Sequence, residues 1–136
     1  MSGTGFDERD EQRRRGEVAP DVLARSIAAA ALEKKAEDLV LLDLRRLTSM
    51  TDFFVIGTVS TDVHSRAVEE SIRALIRERH GSRPWHVEGT DSSRTWVLLD
   101  YVDVVVHLFQ PETRAYYDLE RLWGDAPREQ VADDPA

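Results

Sequence analysis

The chain has 136 residues, no cysteine, and 26 acidic against 18 basic side chains, for a formal net charge of -8. That length suits one domain with a modest core, and the lack of cysteine excludes disulfides and thiolate chemistry. No apolar run approaches the roughly 20 residues that span a bilayer, and the shortage of Lys and Arg argues against nucleic-acid binding as the main activity, leaving a basic protein as the better-matched partner.

Residues 1–19 are polar, carry the run Arg13-Arg14-Arg15, and hold too little apolar surface to fold. They are expected to form a disordered, solvated tail. They contain no apolar h-region, so they do not read as a secretory signal, and a cytoplasmic protein is the expectation. The single folded domain is expected over residues 20–124. Pro20 opens a helix with Asp21 in its first turn and Lys34-Lys35 in its last, both matched to the helix dipole. Ala28–Ala31 favour helix, and Val22 or Leu23, Ile27, and Ala30 or Ala31 give it a narrow apolar stripe. Leu39–Leu44 reads as a buried strand and Arg45–Asp52 as a polar connection. Phe53–Thr58 is the second strand, with Gly57 placed for a close backbone approach.

Ser60, Thr61 and Asp62 are N-cap candidates for a helix from about Val63 to His80, which Gly81 closes. Its apolar period runs through Val68, Ile72, Leu75 and Ile76. Arg66, Arg73, Arg77 and Arg79 alternate with Glu69, Glu70 and Glu78, as on a solvated face with internal pairs. Trp85–Glu88 is a short strand and Gly89–Arg94 a turn-rich loop. Trp96–Leu99 and Val104–Phe109 are β-branched and aromatic runs around Asp100-Tyr101-Val102-Asp103. That connection is too short for a parallel crossover, so the pair is an antiparallel hairpin. Pro111 fits the first turn of a last helix, with Tyr116, Leu119 and Trp123 along one face and Gly124 just past the end. Residues 125–136 carry four acids and one Arg and are expected to be a disordered tail. The order α-β-β-α-β-β-β-α predicts an α/β domain built on a mixed five-stranded sheet flanked by helices.

Five pieces of this chain recur together. They are TDFFVI at Thr51–Ile56, Glu88-Gly89, WVLLD at Trp96–Asp100, DVVVH at Asp103–His107, and R-x-x-Y-x-L-E-x-L-W from Arg114 to Trp123. In this order and spacing, the set resembles the Iojap family, the ribosomal silencing factors, over roughly Pro20 to Trp123. The resemblance implies a fold similar to that of nucleotidyltransferases and a non-enzymatic, cofactor-free repressor of translation. It implies binding to the large ribosomal subunit through its protein number fourteen, on the face that joins the small subunit, when nutrients are scarce. Little direct RNA contact, no membrane, and a homodimer when free go with it. The family's contact surface falls on the sheet and terminal helix, which picks out Trp96, Leu98, Asp100, Asp103, Tyr117 and Glu120. Two alternatives stand beside this one: a nucleotidyltransferase-like enzyme, and an assembly factor for the large subunit.

The residues give the enzyme alternative little support. Gly81-Ser82 is followed by Arg83-Pro84, and no D-x-D pair lies downstream to hold magnesium. Asp100 and Asp103 flank a hairpin turn, where Asp commonly bonds local backbone. His64, His80, His86 and His107 form no zinc-binding spacing. His107 shares a strand face with Val105 and Phe109, which suits a partly buried, satisfied histidine. By strand alternation, Trp96, Leu98 and Asp100 share one sheet face, and Val97 and Leu99 the other.

Overall fold

The computed structural model describes residues 18–91 and 93–132. Residues 1–17 of the expected 1–19 tail lie outside the described residues, and Val18 packs against the core. The elements are α1 (Pro20–Glu33), β1 (Glu37–Asp43), β2 (Phe53–Thr58), α2 (Asp62–His80), β3 (His86–Glu88), β4 (Trp96–Asp100), β5 (Val104–Phe109), α3 (Pro111–Tyr117), α4 (Leu119–Leu122) and β6 (Arg128–Val131). The strands form one mixed sheet in the order β3-β4-β5-β2-β1-β6. Only β2 and β5, at its centre, run parallel, with Phe53 beside Val104 and Thr58 beside Phe109.

The sheet has six strands, not the five expected. The extra strand, β6, comes from the segment read as a disordered acidic tail. It lies antiparallel on β1, with Leu42 opposite Arg128 and Leu39 opposite Val131. Its side chains are exposed apart from Val131, which is half-buried. An edge strand of this kind is held by its backbone ladder and needs no apolar signature. The bidentate Arg25–Glu129 pair, at 2.8 and 2.7 Å, also ties it to α1. That pair is exposed, so the ladder carries most of the attachment.

Both long helices cover one face of the sheet. Leu23, Ala24, Ile27, Ala28 and Ala31 of α1 join Val68, Ile72 and Ile76 of α2 against Leu39, Leu41, Val55, Val97, Leu99, Val106 and Leu108. The small side chains of α1 let it sit close to α2, where the Ser71 hydroxyl donates to the Ala30 carbonyl at 2.8 Å. Thr61 is the N-cap of α2, accepting from the His64 amide, and Gly81 ends the helix with φ at 65°. Lys34 and Lys35 fall just beyond α1, not in its last turn. Gly57 does meet a close neighbour: a Cβ there would lie 2.9 Å from Leu39 Cδ2.

The helix-facing side also holds a buried ion pair. Glu69, on the stripe expected to be solvated, is 7% exposed and contacts Arg94, which is 3% exposed. The Arg94 guanidinium also donates to Ser65 Oγ at 3.3 Å and to the Thr90 carbonyl at 2.9 Å. Glu69 accepts from Arg73 as well, at 3.0 Å. A sequence period places Glu69 on α2 but cannot show that a loop arginine 25 residues later folds over it. The Arg94 backbone sits at φ 54°, so the loop turns sharply where its side chain plunges inward.

The β4–β5 turn is compact. Asp100 Oδ1 accepts from the Val102 amide at 2.7 Å, as the sequence led one to expect of a turn aspartate. Val102 is fully buried with φ at 75°, and the Asp103 amide donates to the Tyr101 carbonyl at 3.0 Å. This is a γ-turn at a β-branched residue, a costly conformation that burial and the Asp100 bond hold in place. The Asp103 carbonyl in turn accepts from the Asp52 and Phe53 amides at 2.9 and 3.1 Å, fixing the start of β2.

Among the described residues no helix is long and apolar enough to cross a membrane. The buried pair yields a stability prediction. Arg94→Met leaves the Glu69 carboxylate desolvated with only Arg73 beside it, and should cost about 3–5 kcal/mol in urea unfolding. The double variant Arg94→Met/Glu69→Leu should recover most of that loss. If the single change costs less than the exposed Arg25→Ala, the pair does not hold the loop.

Candidate functional site

The second sheet face is covered only in part. Val40, Leu42, Leu44, Ile56 and Phe109 form a smaller core there with Ala126, and Phe54, Trp96, Leu119 and Trp123 pack against it. The cover comes from α3, α4 and the segment after them. The expected single helix is broken at Asp118, whose φ is 48°. The break rotates α4 relative to α3, so Tyr116 is 81% exposed instead of sharing a stripe with Leu119 and Trp123. Tyr117 takes a packing role, its ring 4.7 Å from that of Trp96.

Arg114 anchors this cover. It donates to the Asp38 carbonyl and to Thr58 Oγ1, both at 2.8 Å, and pairs with Glu120 at 2.8 Å. Burial pushes the Glu120 carboxyl up, but the hydrogen bond and charge of Arg114, aided by Arg128, outweigh it and hold the group below the usual carboxylate range. Glu120 is thus engaged within the chain.

Beyond Trp123 the face lies open as a cavity of about 260 Å³. Its floor is Phe54, Leu98, Val105 and His107, and its rim includes Met50, Thr51, Glu88 and Asp100. The lining holds two carboxylates, Asp100 and Glu88, and no Lys or Arg; Glu88 is already engaged, its Oε2 2.7 Å from the Nε2 of His86, which lines the cavity too. Met50 is 74% exposed, so apolar surface extends onto the β1–β2 connection. Of the six residues picked out by sequence, Leu98 and Asp100 line this cavity. Trp96 is half-buried on the same face, its indole N–H donating to His107 Nδ1 at 3.1 Å. Asp103 is half-buried behind the turn, and Tyr117 and Glu120 belong to the cover. Trp96, Asp103, Tyr117 and Glu120 are not among the residues that line the cavity.

His107 departs from the partly buried, satisfied histidine expected of it. It is 4% exposed, packed edge-on against Phe54 with ring centroids 4.5 Å apart. Only one of its nitrogens is satisfied: Nε2 has no partner, nor does Thr51 Oγ1 on the same rim. Burial pushes the imidazole down to about 3. The sequence does not single out Phe54, Thr51 and Met50, although the alternation Phe54–Ile56 against Phe53–Val55 carries a signal for the first. Knowing that β2 neighbours β5 was needed to use it. Among the described residues no group of His, Asp and Glu stands close enough to hold a metal ion.

The depressed His107 gives a pH prediction. An unfolded histidine binds a proton near 6.5, whereas the folded one stays neutral to about 3. Between those values the unfolded chain holds the extra proton, so stability is full above the upper value and falls as pH drops through the window. The slope from this one group should be about 1.4 kcal/mol per pH unit. Urea unfolding of wild type and His107→Phe across that window checks it: the difference in slope should vanish above neutrality, and equal slopes below it would refute a neutral buried ring.

Comparison with known proteins places these features in a family. The family model described as "Ribosomal silencing factor during starvation" matches residues 17–136. The ribosomal silencing factor of Bacillus subtilis is 42% identical over 100 residues, covering 74% of this chain and 83% of that protein. The chloroplastic protein Iojap of Zea mays is 41% identical over 101 residues, 74% of this chain but 43% of that longer protein. A crystal structure of a Chromobacterium violaceum protein superposes with a TM-score of 0.75 at 29% identity, covering 88% of this chain and 94% of that one. The match runs through β6 as well as the helices, the hairpin and the Arg114–Trp123 cover, and the chain belongs to the ribosomal silencing factor family, the family of Iojap.

Proposed function

We propose that this chain represses translation by occupancy: it docks on the large ribosomal subunit through that subunit's protein number fourteen and sterically prevents the small subunit from joining. The half-covered sheet face supports this reading. It offers an apolar floor at Leu98, Phe54 and Val105 beside the carboxylates of Asp100 and Glu88. Such a surface suits a basic, partly apolar protein better than an RNA backbone, whose phosphates would meet two like charges. The whole-chain charge of -8 acts in the same direction, steering towards basic partners.

Nothing in this mechanism requires turnover. The protein is read as a cytoplasmic, non-enzymatic regulator that uses no cofactor and acts when nutrients are limiting. The free protein is read as a homodimer, and its dimer contact is free to overlap the docking face. Leu98 is the residue on which docking should depend most. It lines the open cavity, stands between His107 and Glu88 on the neighbouring strands, and is half-buried. Asp103, Tyr117 and Glu120 would act by holding the turn and cover in shape.

Sedimentation tests the proposal. The full chain, mixed with separated subunits at a magnesium concentration that supports joining, should travel with the large subunit and reduce the joined peak. Leu98→Arg should abolish both effects while leaving the unfolding midpoint within about 1 kcal/mol of wild type, since the side chain is part-exposed. A wild-type chain that stays at the top of the gradient, with joining unaffected, would overturn the reading. Co-sedimentation without any loss of joining would favour a role in subunit assembly instead.

A further inference from the structure

The chain has no cysteine and two methionines, Met1 and Met50, so Met50 carries the one sulfur atom among the described residues. It lies in the connection between β1 and β2 and is 74% exposed, which leaves its thioether open to solvent and to oxidants. The backbone around it is held. The Leu47 and Thr48 amides donate to the Leu44 carbonyl at 2.9 and 3.1 Å, and the Leu44 amide donates to the Asp52 carbonyl at 2.8 Å. The Met50 amide donates to Thr48 Oγ1 at 3.1 Å. A large apolar side chain is thus presented to water by a braced loop, at the rim of the open cavity that it lines.

Its place in the lining decides what oxidation would do. Asp100 and Glu88 sit on β4 and β3, and β5 separates them from β2 and β1. The lining contributed by β2 and the β1–β2 connection is Leu44, Thr48, Met50, Thr51 and Phe54, and it holds no charge. The charged groups of a basic partner are drawn to the carboxylate side, so the Met50 side is left for uncharged contact. A flexible, polarizable thioether suits such contact. Its sulfoxide does not, because the added oxygen is a strong acceptor that an apolar cover would strip of water.

We propose that Met50 is a peroxide-sensitive modification site on the docking face: its oxidation to the sulfoxide releases the chain from the large subunit, and its reduction restores docking. The proposal rests on the docking reading above and adds its control by oxidant. In the forward step hydrogen peroxide gives one oxygen atom to Met50 Sδ. The O–O bond breaks, an S–O bond forms, the sulfur loses two electrons and water leaves. In the return step a thiol-dependent sulfoxide reductase supplies two electrons and two protons from a pair of thiols. The oxygen leaves as water and the thiols end as a disulfide on the reductase.

The test uses the full chain and separated large subunits. Hydrogen peroxide is applied to the free chain and removed before mixing, and peptide mass mapping reads oxidation at Met1 and Met50. The chain oxidised at Met50 should bind about ten-fold more weakly, keep its urea midpoint, and regain its affinity after treatment with a methionine sulfoxide reductase. Met50→Leu should show the same affinity before and after peroxide, whatever its starting value. Met50→Gln, which sets an uncharged polar group there without oxidant, should bind more weakly than Met50→Leu. Full oxidation of Met50 without loss of binding, a loss that Met50→Leu shares, or a loss that accompanies unfolding overturns the proposal, while binding by the untreated chain keeps the docking reading. If the untreated chain does not bind the large subunit, the docking reading and its control by oxidant fail together. Oxidation and repair are read on the unsubstituted chain, so a poorly folding variant does not decide the outcome.

Discussion

The inner strands of this sheet are apolar on both faces, and the chain supplies enough helix to cover one face and part of the other. Val55 and Val106 point to the long helices while Ile56 and His107, their neighbours in sequence, point away. An exposed apolar face is unfavourable by roughly 25 cal/mol for each square ångström left in water, so the partial cover by α3, α4 and Ala126 carries much of the second face's stability. What remains open is apolar, concave and acid-rimmed.

Three polar devices hold that arrangement. Arg94 and Glu69 pin the β3–β4 loop onto α2, from the helix-covered side. Asp100 and the Val102 γ-turn lock the end of the hairpin and, through the Asp103 carbonyl, the start of β2. Arg114 and Glu120 clamp the cover to the far ends of β1 and β2. Each uses a buried or half-buried charge that is hydrogen-bonded, and the Arg94–Glu69 and Arg114–Glu120 devices are ion-paired as well, the condition under which such groups are tolerated. None of them lies on the open floor, so the surface is shaped by polar contacts made elsewhere and is itself left mostly apolar.

His107 is the exception on that floor. It is a polar side chain set among Phe54, Trp96 and Phe109, with a ring plane nearly parallel to that of Phe109. An aliphatic residue would fill the same space without an unpaired nitrogen. The Trp96 bond explains one nitrogen and fixes the proton on the other.

The sequence determined much of this protein by itself. Local patterns specify α1, β2, α2, the hairpin and the Pro111 start of α3, because periodicity, caps and turn residues act within a few residues of one another. The ordered pieces from Thr51 to Trp123 were enough to place it in its family. Alternation put Trp96, Leu98 and Asp100 on one face. Tertiary structure decided the rest. Strand order is set by pairing over long separations, so the β2–β5 contact that unites Phe54 with His107 could not be read locally. Strand β6 has no apolar pattern because its attachment is backbone to an existing edge. The kink at Asp118 takes Leu119 and Trp123 off the stripe of Tyr116, since a single left-handed residue redirects every side chain after it. Glu69 looked solvated because its partner lies on a distant loop. The cavity exists only where these non-local choices meet, which is why Leu98 and Asp100 were legible in the sequence while Phe54, Thr51 and Met50, which line the same cavity, were not.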